Sequence, residues 1–333
     1  MKYFTPGVWE WPPETVLAED RLRVRRVTAQ DRREVLSGRD AEDRRHILVR
    51  IADDERDPVP VSTKGMAVAV RPLSEPGREP GRFIDIVCHD PSGHAAFHLI
   101  GDEIASALTN DGASPGDVVD HVVSRWRQFW GQLPQSLLSV PEQIGLFAEL
   151  WFLLTWLSSK VDPEIALSRW RGPTGSRHDF EWQGYSIEVK ATMSVHRLVH
   201  RISGIDQLSP PERGTLFLFS LQVRQEEGAG NSLPILVELC RNRFSGKPDA
   251  ALDLEDKLSR IGYSSSHNTE YERLHLRVGG EGLYRVDHDF PRIIPSSFPG
   301  RVPNGVEKIE YDINLNGFDH LRVACRPSEM PSM

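Results

Sequence analysis

The stretch Arg177–Thr192, RHDFEWQGYSIEVKAT, constrains the fold more than any other part of the chain. His178, Phe180 and Trp182 alternate with Asp179 and Glu181, and Tyr185, Ile187 and Val189 alternate with Ser186, Glu188 and Lys190. A period of two on both sides of Gln183-Gly184 predicts two short strands joined by a two-residue turn. That turn sets Asp179 opposite Glu188 and Phe180 opposite Ile187, and residues opposite one another in an antiparallel pair share a face. Lys190, two residues beyond Glu188, joins the same face. The hairpin is therefore predicted to have one apolar face and one carrying Asp179, Glu188 and Lys190.

Two carboxylates ~5 Å apart repel by about 3 kcal/mol at an effective dielectric near 20. A divalent cation removes that cost, and two carboxylates completed by water suit magnesium. Lys190 would then hold or polarise a water beside the ion. The plainer alternative is a solvated face with a Glu188–Lys190 ion pair, because Asp-x8-Glu-x-Lys is a short and degenerate pattern.

The surrounding segments supply a helix and a set of basic side chains. Ser139-Val-Pro-Glu142 has the form of a capping box with proline in the first turn. Ile144, Phe147, Trp151 and Leu154 follow at helical spacing, widened by Gly145, Ala148 and Phe152. Glu149 falls among these apolar residues, where a carboxylate must reach solvent at an edge or find a partner. Arg169, Arg171 and Arg177 flank the Gly172-Pro-Thr-Gly175 loop. Contact with phosphate and pairing with nearby carboxylates are equally open to them. A strand over Leu198–Ser203 puts Arg201 on one face, as a phosphate-binding candidate. His200 falls on the other, as a hydrogen-bonded core histidine.

At these residues the chain resembles the PD-(D/E)XK nuclease superfamily, with Asp179, Glu188, Val189 and Lys190 matching the motif and His178-Asp179 standing where the family has Pro-Asp. The segments SVPEQIGLFAELWFL, DFEWQGYSIEVKAT, HRISGIDQL and TLFLFSLQV resemble one bacterial family of PD-(D/E)XK motif proteins from restriction and phage-defence loci. The resemblance implies Mg²⁺, with Mn²⁺ able to substitute, held by Asp179, Glu188 and the Val189 carbonyl, and Lys190 beside the attacking water. It implies that Glu149 joins the metal site from its helix and that Gln207 lies near it. It implies a DNA endonuclease acting in a restriction or anti-phage system, with DNA as partner and other proteins of a defence operon or a second copy as further candidates. The alternative is a catalytically silent, nuclease-like subunit that binds DNA or protein.

Length and composition limit these readings. At 333 residues, with 39% hydrophobic and 26% charged residues, the chain is expected to be an ordinary soluble protein of two domains. A protein that coats nucleic acid non-specifically would be basic, so the net charge of −8 counts mildly against a DNA partner. Binding needs only a local positive surface, however, and a bound metal adds charge. Cys88, Cys240 and Cys325 match no zinc spacing and are expected as buried free thiols in a reducing cytoplasm. No apolar run is long enough to span a membrane.

The expected fold class is α/β: a restriction-endonuclease-like mixed sheet flanked by helices over residues 134–333, after a mostly β domain over 1–133 that ends in helices. Strands are predicted at Leu22–Val27, His46–Ile51, Gly65–Val70, Phe83–Cys88 and Ala95–Leu99, with a polar connector over Gln30–Arg45. Helices are predicted at Gly101–Thr109, Pro115–Gly131, Pro234–Phe244 and Ala251–Ile261. Thr215–Val223, almost unbroken in apolar residues through Phe219, is predicted as an interior strand. Glu272–Val278 and Leu283–Asp287 are predicted as strands flanking a turn at Gly279-Gly-Glu-Gly282. That turn is no nucleotide loop, because neither a helix nor a lysine follows it. The end of the chain, from Pro327, is expected to fray.

Overall fold

The computed structural model describes residues 3–11, 21–28, 33–63, 65–74, 80–110, 113–130, 136–300 and 302–331. The boundary expected at 133/134 lies outside them. The chain divides into two compact units that are discontinuous in sequence. One holds residues 1–137 and 246–267, the other 138–245 and 268–333.

In the first unit six strands form one antiparallel sheet: β1 (Arg23–Arg26), β2 (Val35–Arg39), β3 (Arg45–Ile51), β4 (Val61–Ser62), β5 (Met66–Leu73) and β6 (Gly81–Cys88), in the order β1-β2-β3-β6-β5-β4. Ile47, Val49 and Ile51 alternate onto one face with Ile84, Ile86 and Cys88. There they meet Phe97, Ile100 and Ile104 of α1 (His94–Asn110) and Val119, Val122 and Trp126 of α2 (Pro115–Trp130). The opposite face carries a small cluster of Leu36, Leu48 and Phe83.

Two expectations fail in this unit. Ala95–Leu99 is helix, not strand, because its apolar residues continue at helical spacing through Ala96, Phe97, Ile100, Ile104 and Leu108, a period that five residues cannot display. The polar stretch 30–45 contains β2, whose Ser37 and Gly38 are buried. A Cβ on Gly38 would stand 3.2 Å from the His46 Cβ on the neighbouring strand, so its glycine reflects close packing rather than a turn.

In the second unit, α3 (Val140–Trp151) runs into a π-helical turn at Phe152–Trp156 and is followed by α4 (Pro163–Arg169). Glu142 accepts hydrogen bonds from the Ser139 N–H at 2.8 Å and from its hydroxyl at 2.6 Å, which anchors the helix start. The strands are β7 (Phe180–Trp182), β8 (Tyr185–Thr192), β9 (Val199–Ile202), β10 (Thr215–Gln225), β11 (Leu276–Val286), β12 (Tyr311–Asn314) and β13 (Arg322–Ala324). The main sheet is mixed, in the order β13-β11-β10-β8-β7, with β8 and β10 parallel and the other pairs antiparallel. β9 pairs with β12 in a separate ribbon. Helix α5 (Leu233–Arg243) follows β10, α6 (Pro248–Ile261) belongs to the first unit, and α7 (Asn268–Tyr271) resumes the second.

Each face of this sheet is covered. Phe180, Ile187 and Phe219 lie on the helix side, where Phe152 meets Phe180 at 5.0 Å and Phe219 at 4.9 Å between ring centroids. Phe180 packs on Phe152: the π turn lets one extra residue into the helix and brings Phe152 and Trp156 onto the sheet. On the other side Leu216, Leu218, Tyr284 and Val286 pack with Ile202 and Ile313 of the β9–β12 ribbon.

The four residues Gly279-Gly-Glu-Gly282 are not a turn. β11 runs straight through them, bulged against Gln222 and Val223 of β10. The chain end is also ordered further than expected: Pro327–Glu329 forms a helical turn and Met330 is buried, while Cys325 just before it is exposed, unlike the buried Cys88 and Cys240.

Candidate functional site

The hairpin forms in the predicted register. Phe180 pairs with Ile187 and Trp182 with Tyr185, while Gly184 adopts φ +84°, the left-handed conformation a tight turn needs. Asp179 stops one residue short of the ladder. Its carbonyl accepts the Arg171 and Gly172 N–H groups at 2.8 and 2.9 Å, and its Oδ2 accepts the Val189 N–H at 2.7 Å. Asp179 is therefore held beside Glu188 by the Arg171–Gly172 loop and by β8, not by a pair of ladder bonds.

Glu188 and Lys190 share a sheet face, and the ammonium stands 2.8 Å from Glu188 Oε1. The face is not solvated as the plainer reading had it: Glu188 is 1% exposed, and its second oxygen, Oε2, is buried without a hydrogen-bond partner. Glu149 approaches from α3, and its Oε2 accepts the Trp170 indole N–H at 2.6 Å. A methyl group on Gly172 would stand 3.0 Å from Asp179 Oδ1 and 3.5 Å from Glu149 Oε2. The two carboxylates flank one point that only a glycine leaves open.

Burial raises all three acids, and repulsion from Asp179 adds to it at Glu149 and Glu188. Burial, then the Asp179 charge, pushes Glu188 up to about 8. The same causes, in the same order, hold Glu149 well above the usual carboxylate range, opposed by the Trp170 hydrogen bond. Asp179 is raised by burial against the pull of Lys190 and the Val189 N–H. For Lys190, burial acts downward, but Glu188 and Asp179 outweigh it and keep the ammonium above its ordinary value. Three acids face one cation, and one buried oxygen is orphaned. That donor set fits a hard divalent cation with oxygen ligands. The three acids are more widely spaced than a collapsed cage. Among the described residues, the one trio of acidic and imidazole ligand atoms within 4.8 Å of one another is Asp287-His288-Asp289, on an exposed turn.

The remaining candidates lie as follows. Arg171 and Arg177 are exposed in the loop that carries Asp179. Arg169 instead lies over the Trp182 ring at 4.6 Å. Arg201 is exposed on β9 and ion-paired with Glu310. Gln207 closes its own turn, its Oε1 accepting the Ser203 N–H at 2.9 Å. His200 is a core histidine bonded to Ser220 Oγ at 2.8 Å, with burial lowering it to about 4. The sequence reading passed over Trp170 and Gly172. A tryptophan and a glycine in an otherwise polar loop beside Asp179 were the available signal for them.

A family model described as "Putative PD-(D/E)XK family member, (DUF4420)" matches residues 12–316. The chain belongs to this family. The match spans both units, so this PD-(D/E)XK family member carries the six-stranded first unit as part of the family's own architecture. The mixed sheet with α3 on one face agrees with a restriction-endonuclease-like fold. No curated protein and no solved structure matches the chain.

Proposed function

We propose that the protein is a Mg²⁺-dependent DNA endonuclease of a bacterial restriction or anti-phage system, acting in the cytoplasm. The observation that carries this reading is the convergence of Glu149, Asp179, Glu188 and Lys190 on one buried spot, with a surplus of negative charge and the orphaned Glu188 oxygen. Asp179, Glu188 and the Val189 carbonyl would hold the metal, with Glu149 behind them; Mn²⁺ would substitute. Bound there, the ion supplies Lewis-acid stabilisation of charge on the phosphate and leaving oxygen. Lys190 orients the attacking water and offsets charge as the phosphate is approached. Its pairing with Glu188 keeps it protonated, so it acts as a donor rather than a base. Arg171 and Arg177, exposed in the loop that carries Asp179, are the side chains for phosphate contact. Arg201 and Gln207 would join only after giving up Glu310 and Ser203.

The second reading, a silent subunit that binds DNA or a defence partner, draws on the self-satisfied state of the site. Lys190 already occupies Glu188 Oε1, and the Val189 N–H already occupies Asp179 Oδ2. Plasmid nicking by purified protein with Mg²⁺, against the same protein in EDTA, separates the two. Metal-dependent conversion of supercoiled to open or linear plasmid is expected, and none would leave the silent reading.

A further inference from the structure

Arg169 is the basic side chain beside the hairpin that the acidic site does not use. It is the last residue of α4, and its guanidinium lies over the Trp182 ring at 4.6 Å. Stacking occupies the face of a guanidinium and leaves its edge, where the N–H groups point. Among the described residues no carboxylate or other acceptor takes those N–H groups. Burial alone pulls Arg169 below its ordinary value, with no neighbouring charge to offset it. Of the two fates open to this arginine in the sequence, pairing with the acids of the site is not the one observed.

Arg169 lines a cavity of about 170 Å³ inside the second unit. Leu157, Val161 and Met330 give it apolar walls, together with the Trp182 ring. Its second cation is Lys160, exposed just past the helical turn Leu157–Ser159. The Lys160 ammonium donates to the Ser328 carbonyl at 3.2 Å, which ties it to the turn Pro327–Glu329 and leaves two of its three donors. Among the described residues no acidic side chain lines the cavity. Two like charges facing one small space are costly unless an anion joins them. In a chain of net charge −8 the missing acid is not a matter of supply.

The lining selects the class of anion. The edge of a guanidinium matches two oxygens of one anion, and an ammonium adds a point charge. Two cations without an acid balance a phosphate monoester, which carries about −1.5 to −2 at neutral pH; a carboxylate or a phosphodiester carries a single charge. The volume is below the roughly 300–1,000 Å³ of pockets that enclose whole small molecules. It admits the phosphate and the first atoms of whatever bears it, set against the apolar walls.

We propose that this cavity is a phosphate site, which takes one phosphate monoester or inorganic phosphate between Arg169 and Lys160. It needs no metal and stands apart from the acidic site, so it does not rest on the nuclease reading.

The test is calorimetric titration of the full-length protein in EDTA, which keeps metal out of the acidic site. The probes are inorganic phosphate, a dinucleotide with a terminal phosphate, and the same dinucleotide without it. Arg169→Gln and Lys160→Glu are titrated beside the wild type. Saturable uptake of one equivalent of a phosphorylated probe is expected, about tenfold weaker in each variant, as for the loss of a hydrogen bond to a charged group. Tighter binding of the phosphorylated dinucleotide than of inorganic phosphate would mark a strand end as the source, and the reverse a free ion. Uptake of neither phosphorylated probe, equal uptake of the unphosphorylated dinucleotide, or an affinity unchanged in either folded variant overturns the site. Arg169→Gln also removes the stacking on Trp182, so Lys160→Glu, made at an exposed side chain, decides the matter if the first variant melts early.

Discussion

Metal binding should stabilise this protein in a way set by the Glu188 carboxyl. Burial holds that group near 8 in the folded chain, against an ordinary value of 4.5. A folded-state value raised above the unfolded one disfavours the ionised fold. The metal-free protein should therefore lose stability as pH rises from about 4.5 through 8, and little more above that. A cation must displace the same proton. Below pH 8 each pH unit weakens binding about tenfold, or about 1.4 kcal/mol. At pH 8.5 and a Mg²⁺ concentration one hundred times its dissociation constant, the gain is about 2.7 kcal/mol. For a unit of this size that is a rise of roughly 5–10 °C in Tm. At pH 6.5 and the same Mg²⁺ concentration, proton competition should remove about 2 kcal/mol of it. Thermal melts followed by circular dichroism, with Mg²⁺ or EDTA at both pH values, measure this directly. A Tm indifferent to millimolar Mg²⁺ and Mn²⁺ would refute the metal site. A rise of equal size at both pH values would refute the role given to the Glu188 proton.

Three further outcomes are expected. Lys190→Ala should abolish plasmid nicking while the protein stays folded, since its partner Glu188 can take up a proton in place of the lost cation; equal nicking by wild type and variant would contradict the role of Lys190. Asp179→Asn should lose the Mg²⁺ response yet melt no lower than metal-free wild type, because the amide oxygen can still accept the Val189 N–H; a retained Mg²⁺-induced shift would show that Asp179 holds no metal. Trp170→Phe removes the indole N–H donor to Glu149, which should raise that carboxyl further and move the alkaline rise of the cleavage rate to higher pH; an unchanged pH profile would separate Glu149 from the reaction.

The local features of the site were legible because they obey short periods. The hairpin turn announces itself through Gln183-Gly184, and the start of α3 through Ser139 and Glu142. What failed depends on contacts between distant segments. Arg201 reads as a free cation until Glu310, more than a hundred residues later, is brought beside it. The glycines of β11 read as a turn because their strand character comes from Gln222 and Tyr284 filling the space that side chains would otherwise take. Alternation in β8 left a solvated face open as the plainer alternative, but the β9–β12 ribbon covers that side of the sheet, and no period within β8 encodes it. Phe152 was placed only as a residue widening the helix stripe, since nothing in its neighbours signals the π turn that follows Trp151.

The discontinuity of the second unit bears on how this protein can be dissected. Its sheet is closed by β11, which lies beyond the 246–267 segment that belongs to the other unit. A fragment ending at Ser245 would retain Glu149, Asp179, Glu188 and Lys190, yet would strip β10 of its antiparallel neighbour. The eleven residues Thr215–Gln225, apolar and buried through most of their length, would then become a bare strand edge, a template for association with other chains. No single cut yields the second unit alone. The second unit by itself would instead have to be built by splicing Ser245 to Asn268 through a short linker that replaces the excursion.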